Sequence, residues 1–169
     1  MQTILVLGAG KSAIVLIHNL AKHAEEGGYK VEVGDLEIDH LQKKYAKNSR
    51  VKPFLFSLEH ARIWHAKVAQ ADLVISMLPA SLHPTVAKVC LQKGIHLITP
   101  SYQSDEMLAM NDAAKRAGLL FLGEMGVDPG IDHMSAMQII DRIKAKGGVI
   151  KVFESFTGGL IAPQSDNNP

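Results

Sequence analysis

Six times between Thr3 and Leu122 the chain passes from a short aliphatic run to a segment of helical spacing. Strands are expected at Thr3–Leu7, Tyr29–Val33, Val51–Phe56, Asp72–Leu78, Ile95–Ile98 and Leu119–Leu122. Helices are expected from Ser12 (Ala13, Ile17, Leu20 and Ala24 on one face), over Ile38–Lys47 and Glu59–Ala69, from Ser81–Pro84 to Gly94, and over Ser104–Arg116. Ser81 or His83 stands where a cap is expected, with Pro84 in the first turn. The strand runs are apolar rather than alternating, which is the pattern of a parallel sheet covered on both faces. Pro53 cannot donate to a ladder, so the third strand is a poor candidate for a central one. Residues 1–125 therefore read as one doubly wound α/β domain.

Past that point the pattern changes. Asp128-Pro129-Gly130 opens a helix expected to run to about Lys146, and Val149–Thr157 alternates apolar and polar residues as an exposed antiparallel strand does. A lone strand needs partners, and the tail from Gln164 to Pro169 is polar. Residues 126–169 thus read as the truncated start of a second, α+β domain.

Composition narrows the function classes. Eighteen basic against 17 acidic residues, with no basic tract, argue against a nucleic-acid partner. No apolar run approaches the roughly 18 residues of a spanning helix, and no signal peptide is visible, so no membrane partner and a cytoplasmic location are expected. The single cysteine, Cys90, cannot form an internal disulfide, and it lies in an apolar helical segment where a buried, inert thiol is expected. The eight histidines show no metal-ligand spacing, so no metal is expected.

Between the first strand and the first helix lies Gly8-Ala-Gly10-Lys-Ser-Ala13, the dinucleotide-binding pattern of a Rossmann domain with alanine at its third position. Gly8 permits the tight turn, Gly10 lets the backbone approach a pyrophosphate, and Ala13 lets the helix sit close to the strand. The helix N-terminus beyond offers free N–H groups to phosphate. Lys11 and Ser12 belong to the same loop; Lys11 either faces a phosphate or is simply solvated. Asp35 ends the second strand 22 residues past Ala13, where a carboxylate binds the adenine ribose hydroxyls and repels a 2′-phosphate, favouring NAD; the other reading is a cap on the next helix. Met77, Leu78 and Pro79 close the fourth strand where sheet order reverses in such folds, and either flank the cofactor or form an ordinary strand end.

Val74-Ile-Ser-Met-Leu-Pro79, His83-Pro84 with Val86-Ala87, Thr99-Pro-Ser-Tyr102 and above all Gly123-Glu-Met-Gly-Val-Asp-Pro-Gly-Ile-Asp-His133-Met134 resemble saccharopine dehydrogenase, and more closely its glutamate-forming type, saccharopine reductase. The resemblance runs from Gly8 to Pro163. It implies a Rossmann domain, an inserted α+β substrate domain and a possible homodimer. It also implies reversible NAD(P)-dependent oxidation of saccharopine, through an imine, to glutamate and 2-aminoadipate 6-semialdehyde, a step of lysine metabolism. The family is longer than this chain, which reads as its incomplete N-terminal portion. Glutamate-forming members commonly use NADP and carry a basic residue near the end of the second strand, where this chain has Asp35-Leu36; Thr157 and Gln164 replace a frequent cysteine and glutamate.

By the same resemblance Ser101 and Tyr102 contact substrate, with the phenol a donor near the reacting nitrogen; otherwise they are a cap and a loop aromatic. Asp128 is either an N-cap or an acid beside a cationic amine, and it is paired with Tyr102 as a candidate catalytic residue. Pro129 and Gly130 complete the substrate segment, Gly130 freeing space at the helix start for a carboxylate. His133 suits acid–base work by its pKa or is a structural histidine bonded to a neighbouring loop. Two rivals remain: a carboxynorspermidine or homospermidine type of enzyme of the same fold, and a dinucleotide-binding module without catalysis.

Overall fold

The computed structural model describes residues 1–156. It divides into two compact units, Met1–His133 and Met134–Pro169. The first unit holds β1 (Gln2–Leu7), α1 (Ala13–His23), β2 (Tyr29–Asp35), α2 (Asp39–Tyr45), β3 (Val51–Leu55), α3 (Ala61–Ala69), β4 (Leu73–Ser76), α4 (His83–Lys93), β5 (His96–Ile98), α5 (Asp105–Ala109), α6 (Asn111–Arg116) and β6 (Phe121–Leu122). The strands form one parallel sheet in the order β3-β2-β1-β4-β5-β6. This is the doubly wound α/β arrangement, with β3 and its Pro53 at an edge and not at the centre.

Alternate side chains of the buried strands point into two apolar layers. Leu5, Leu7 and Val74 join Trp64 and Val68 of α3, Val86 and Cys90 of α4, and Leu97 on one face. Val6, Val31, Val33 and Ile75 join Ala13, Ile17 and Ala21 of α1 and Leu41 and Tyr45 of α2 on the other. Each such fully buried aliphatic side chain contributes about 1.5–3 kcal/mol, so both layers hold the sheet. Glu32 is the charge in this interior: Lys67 lies 2.8 Å and Lys30 3.2 Å from its carboxylate. Burial alone would push that carboxyl up, but hydrogen bonds from the two ammonium groups outweigh it and hold the pKa below the ordinary value.

Register positions the site. Leu7 of β1 lies opposite Gly34 of β2 and Ser76 of β4. The residues that follow, Gly8, Asp35 and Met77, therefore emerge side by side at the carboxyl edge, where β1 and β4 flank the reversal of strand order.

Several elements differ from the sequence reading. The expected helix over Ser104–Arg116 is two helices. Met110 ends α5 with its N–H bonded to the Met107 carbonyl three residues back, and α6 restarts at Asn111. Buried Met107, Met110 and Ala114 still share the apolar side. Neither Ser81 nor His83 caps α4: Leu82 stands at the N-cap without a side-chain bond, and His83 is the first helical residue. α7 spans Ile131–Ala145, and Val149–Phe156 forms no strand. An extended segment becomes a strand only with a partner edge, and none pairs with it among the described residues. Thr157, Gln164 and the polar tail lie outside the described residues. No helix among the described residues is long and apolar enough to cross a membrane.

Candidate functional site

Gly8 turns the chain out of β1 at φ +95°, and a Cβ there would stand 2.8 Å from the Met77 carbonyl oxygen. Only glycine lets β1 end this close to β4 in this conformation. Its N–H bonds to the Gly34 carbonyl at 2.8 Å, fixing the turn against β2. Gly10 is different: a Cβ added to it would meet nothing within 4 Å. Its α-carbon faces open space, as close approach by a phosphate requires. Ala13 opens α1 and is buried against the sheet. Ser12 at the N-cap makes no side-chain cap bond, and no acidic residue occupies the first turn of α1. The partial positive charge of that helix end is thus left for an anion.

Asp35 caps no helix. One carboxylate oxygen accepts the Ala9 N–H at 2.5 Å and the other the Glu37 N–H at 3.0 Å, while Ile38 stands at the N-cap of α2 without a side-chain bond. The carboxylate therefore ties the end of β2 to the glycine loop. Each ionised oxygen has lone pairs beyond one bond, so the half-buried group can still accept a hydroxyl from the cleft.

Gly8, Gly10, Asp35, Met77, Leu78 and Pro79 line one cleft of about 460 Å³, within the range of about 300–1,000 Å³ for small-molecule sites. Phe56, Ser57, Leu58 and Glu59, unmarked in the sequence reading, form another part of its wall. They follow the edge strand β3, whose neighbour in the sheet is decided by strand order. Lys11 and Ser12 are exposed and, with Ala13, fall outside that lining. The open backbone at Gly10, the unfilled start of α1 and this cleft fit a dinucleotide, held by the loop Gly8–Ala13 and by Asp35.

A second group gathers at the ends of β5 and β6. The Glu124 N–H bonds to the Ser101 carbonyl at 3.0 Å and the Met125 N–H to that of Thr99 at 3.1 Å, clasping the two following loops together. Tyr102 is exposed, and its phenol donates to Asp128 Oδ1 at 2.7 Å. That bond, with the carboxylate's charge adding to it, raises the phenol pKa above 10.0. Asp128 thus spends its carboxylate on Tyr102 rather than on capping α7. Gly130 is glycine because its φ is +150° and a Cβ would collide with the Gly126 carbonyl. Its own N–H goes to Asp132 at 2.9 Å. Pro129 is buried beside it.

His133 bonds to Asp132, its neighbour on α7, at 2.8 Å rather than to a separate loop, and this contact raises its pKa. Asp128, Asp132 and His133 have ligand-type atoms within 4.8 Å of one another, a gathering that linear spacing did not reveal. Buried Cys90 has its thiol pushed up to about 12 by burial, as an inert core cysteine should. Asp128→Asn is expected to lower the Tyr102 pKa toward 10.0, so the variant's phenolate appears at lower pH. A near-ultraviolet titration, with Tyr102→Phe to assign the transition, checks this. An unchanged curve would mean the bond does not persist in solution.

Comparison with known proteins agrees with this layout. The family described as "Saccharopine dehydrogenase NADP binding domain" matches residues 4–122 and "Saccharopine dehydrogenase C-terminal domain" matches 126–169. A saccharopine dehydrogenase [NADP(+), L-glutamate-forming] of Pyricularia oryzae is 36% identical over 99% of this chain and 36% of its own length. An α-aminoadipic semialdehyde synthase of Arabidopsis thaliana is 51% identical over 60% of the chain and 10% of its own length. A solved apo structure of the L-Glu-forming saccharopine dehydrogenase of Saccharomyces cerevisiae superposes with a TM-score of 0.77 at 27% identity, covering 87% of this chain and 32% of that one. The chain thus spans well under half the length of these relatives.

Proposed function

The chain belongs to the saccharopine dehydrogenase family, and from that premise we propose that it binds a nicotinamide dinucleotide at the Gly8–Ala13 loop. We propose further that it serves the reversible oxidation of saccharopine to glutamate and 2-aminoadipate 6-semialdehyde in lysine metabolism. The observation that carries the reading is the Tyr102–Asp128 pair, brought together across 26 residues at the carboxyl edge of the same sheet as the glycine loop. The cofactor supplies the hydride acceptor. The chain's own residues handle protons and charge: Asp128 stabilises a cationic secondary amine, and when that amine engages the carboxylate the single Tyr102 O–H, otherwise donated to Asp128, turns to donate near the reacting nitrogen. Ser101 contacts the substrate. Residues 126–169 are the beginning of the substrate domain.

We read the dinucleotide as NAD. The cleft is lined by Asp35 and Glu59 and, among the described residues, by no lysine, arginine or histidine. A 2′-phosphate there would meet like charge without a partner, in contrast to the NADP in the relatives' names. The test is calorimetric titration of the chain with NADH and with NADPH, followed by saccharopine oxidation assayed with either cofactor. Tighter NADH binding is expected. Tighter NADPH binding would overturn the NAD reading, and binding of neither would remove the glycine loop from any cofactor role. Cofactor binding with no response to saccharopine would leave a dinucleotide-binding module.

A further inference from the structure

A buried chain of polar side chains links Ser76, His83 and Ser101. Ser76 is the last residue of β4 and is fully buried. Its hydroxyl lies 3.0 Å from Nδ1 of His83, and Nε2 of His83 lies 3.0 Å from the hydroxyl of Ser101. His83 is 2% exposed. It thus bridges the end of β4, whose next residues Met77–Pro79 line the cofactor cleft, to the loop that carries Ser101 and Tyr102.

A neutral imidazole has one N–H and one lone pair, so the chain runs in one direction only. Burial lowers the His83 pKa and favours this neutral form. If Nδ1 carried the proton, the Ser76 hydroxyl would have to accept, and its own proton would be left buried without an acceptor. An unmet buried donor costs about 1–3 kcal/mol. If Nε2 carries the proton, Ser76 donates to Nδ1 and the imidazole donates to Ser101. The hydroxyl proton of half-buried Ser101 is then excluded from the chain and free to be donated elsewhere.

We propose that His83 is a positioning residue: held by Ser76 with its proton on Nε2, it fixes the Ser101 hydroxyl and leaves its proton to be donated to a carboxylate oxygen of the substrate. This rests on the reading of Ser101 as a substrate contact. The chemistry favours an acceptor: with one lone pair of its oxygen engaged by His83, the Ser101 hydroxyl has its proton to offer to a carboxylate.

Nitrogen-15 NMR of the histidine-labelled chain decides the tautomer without a mutation, the His83 resonances being assigned by their loss in His83→Gln. An unprotonated Nδ1 and a protonated Nε2 are expected. Protonated Nδ1, or an imidazolium at neutral pH, overturns the proposal. The second measurement titrates saccharopine into the cofactor-loaded chain. His83→Phe, which removes both bonds, is expected to weaken binding about tenfold, and His83→Gln, with one acceptor and one donor group, is expected to recover most of the loss. The buried Trp64 reports by its fluorescence that each variant is folded. Equal affinity in His83→Phe and the parent overturns the positioning role while leaving saccharopine binding intact. Absence of binding in the parent overturns the substrate reading, and the proposal with it.

Discussion

Gly10→Val is expected to lower dinucleotide affinity at least about 100-fold while leaving the melting temperature within about 2 °C of the parent, whereas Gly8→Val loses both binding and stability. The two glycines sit two residues apart in one loop, but their surroundings differ. At Gly10 a new side chain meets no protein atom within 4 Å, so the fold has nothing to rearrange. The space it fills is the space through which a pyrophosphate reaches the backbone, and a branched side chain there holds the phosphate away from the N–H groups of the loop and of α1. At Gly8 the backbone is at φ +95° and Cβ would press on the Met77 carbonyl at 2.8 Å. A β-branched residue in that region is strained by about 1–3 kcal/mol, and the overlap adds about as much again. In a domain of this size that is a fall of roughly 4–24 °C. Thermal melts and calorimetric titration of the two variants measure both quantities. Normal binding by Gly10→Val would show that the loop is no phosphate cradle, and a collapse of its stability would show that the space is not open.

Replacing Asp35 is expected to change which dinucleotide binds. Its carboxylate has two duties: it holds the Ala9 and Glu37 N–H groups, and it sets negative charge in the cleft wall together with Glu59. Asp35→Asn removes the charge and gives up the Glu37 bond but keeps an oxygen for Ala9, so the tie to the glycine loop is retained. The ratio of NADH to NADPH affinity should fall about 10- to 100-fold, the range expected for a like-charge contact in a partly screened site. Asp35→Ala removes the loop bond as well. Hydrogen bonds to charged groups contribute about 1.5–3 kcal/mol, so NADH affinity itself should fall about tenfold or more in that variant. Comparing the two separates the structural duty from the electrostatic one. An unchanged cofactor ratio in Asp35→Asn would remove Asp35 from the ribose end of the site.

These expectations draw unequally on sequence and tertiary structure. The parallel sheet, the helix after Gly10, the unsuitability of β3 for the sheet centre and the inert Cys90 were legible in the chain itself. Each rests on periodicity or on the covalent character of single residues: apolar runs without alternation, a proline that cannot donate, glycines at fixed spacing. The single helix read over Ser104–Arg116 failed because its apolar side continues unbroken through Met110 while the backbone does not. The strand read at Val149–Thr157 failed over its described part because alternation shows what a strand could bury and says nothing of an edge to pair with.

The site was legible as a set of residues but not as a set of bonds. Sequence marked Asp35, Ser101, Tyr102 and Asp128, each with two readings. Folding chose bonds to Ala9 for Asp35, to His83 for Ser101, and between Tyr102 and Asp128. It also brought in His83, which the sequence offered only as a helix start and as part of the resemblance, and Glu59, which it did not mark as a site residue. The physical reason is the same throughout. Local pattern fixes which strands and helices form, because their hydrogen bonds and buried faces repeat within a few residues. Which polar side chains meet is decided when a parallel sheet aligns the carboxyl ends of strands far apart in the chain, and that alignment is a property of strand order and register.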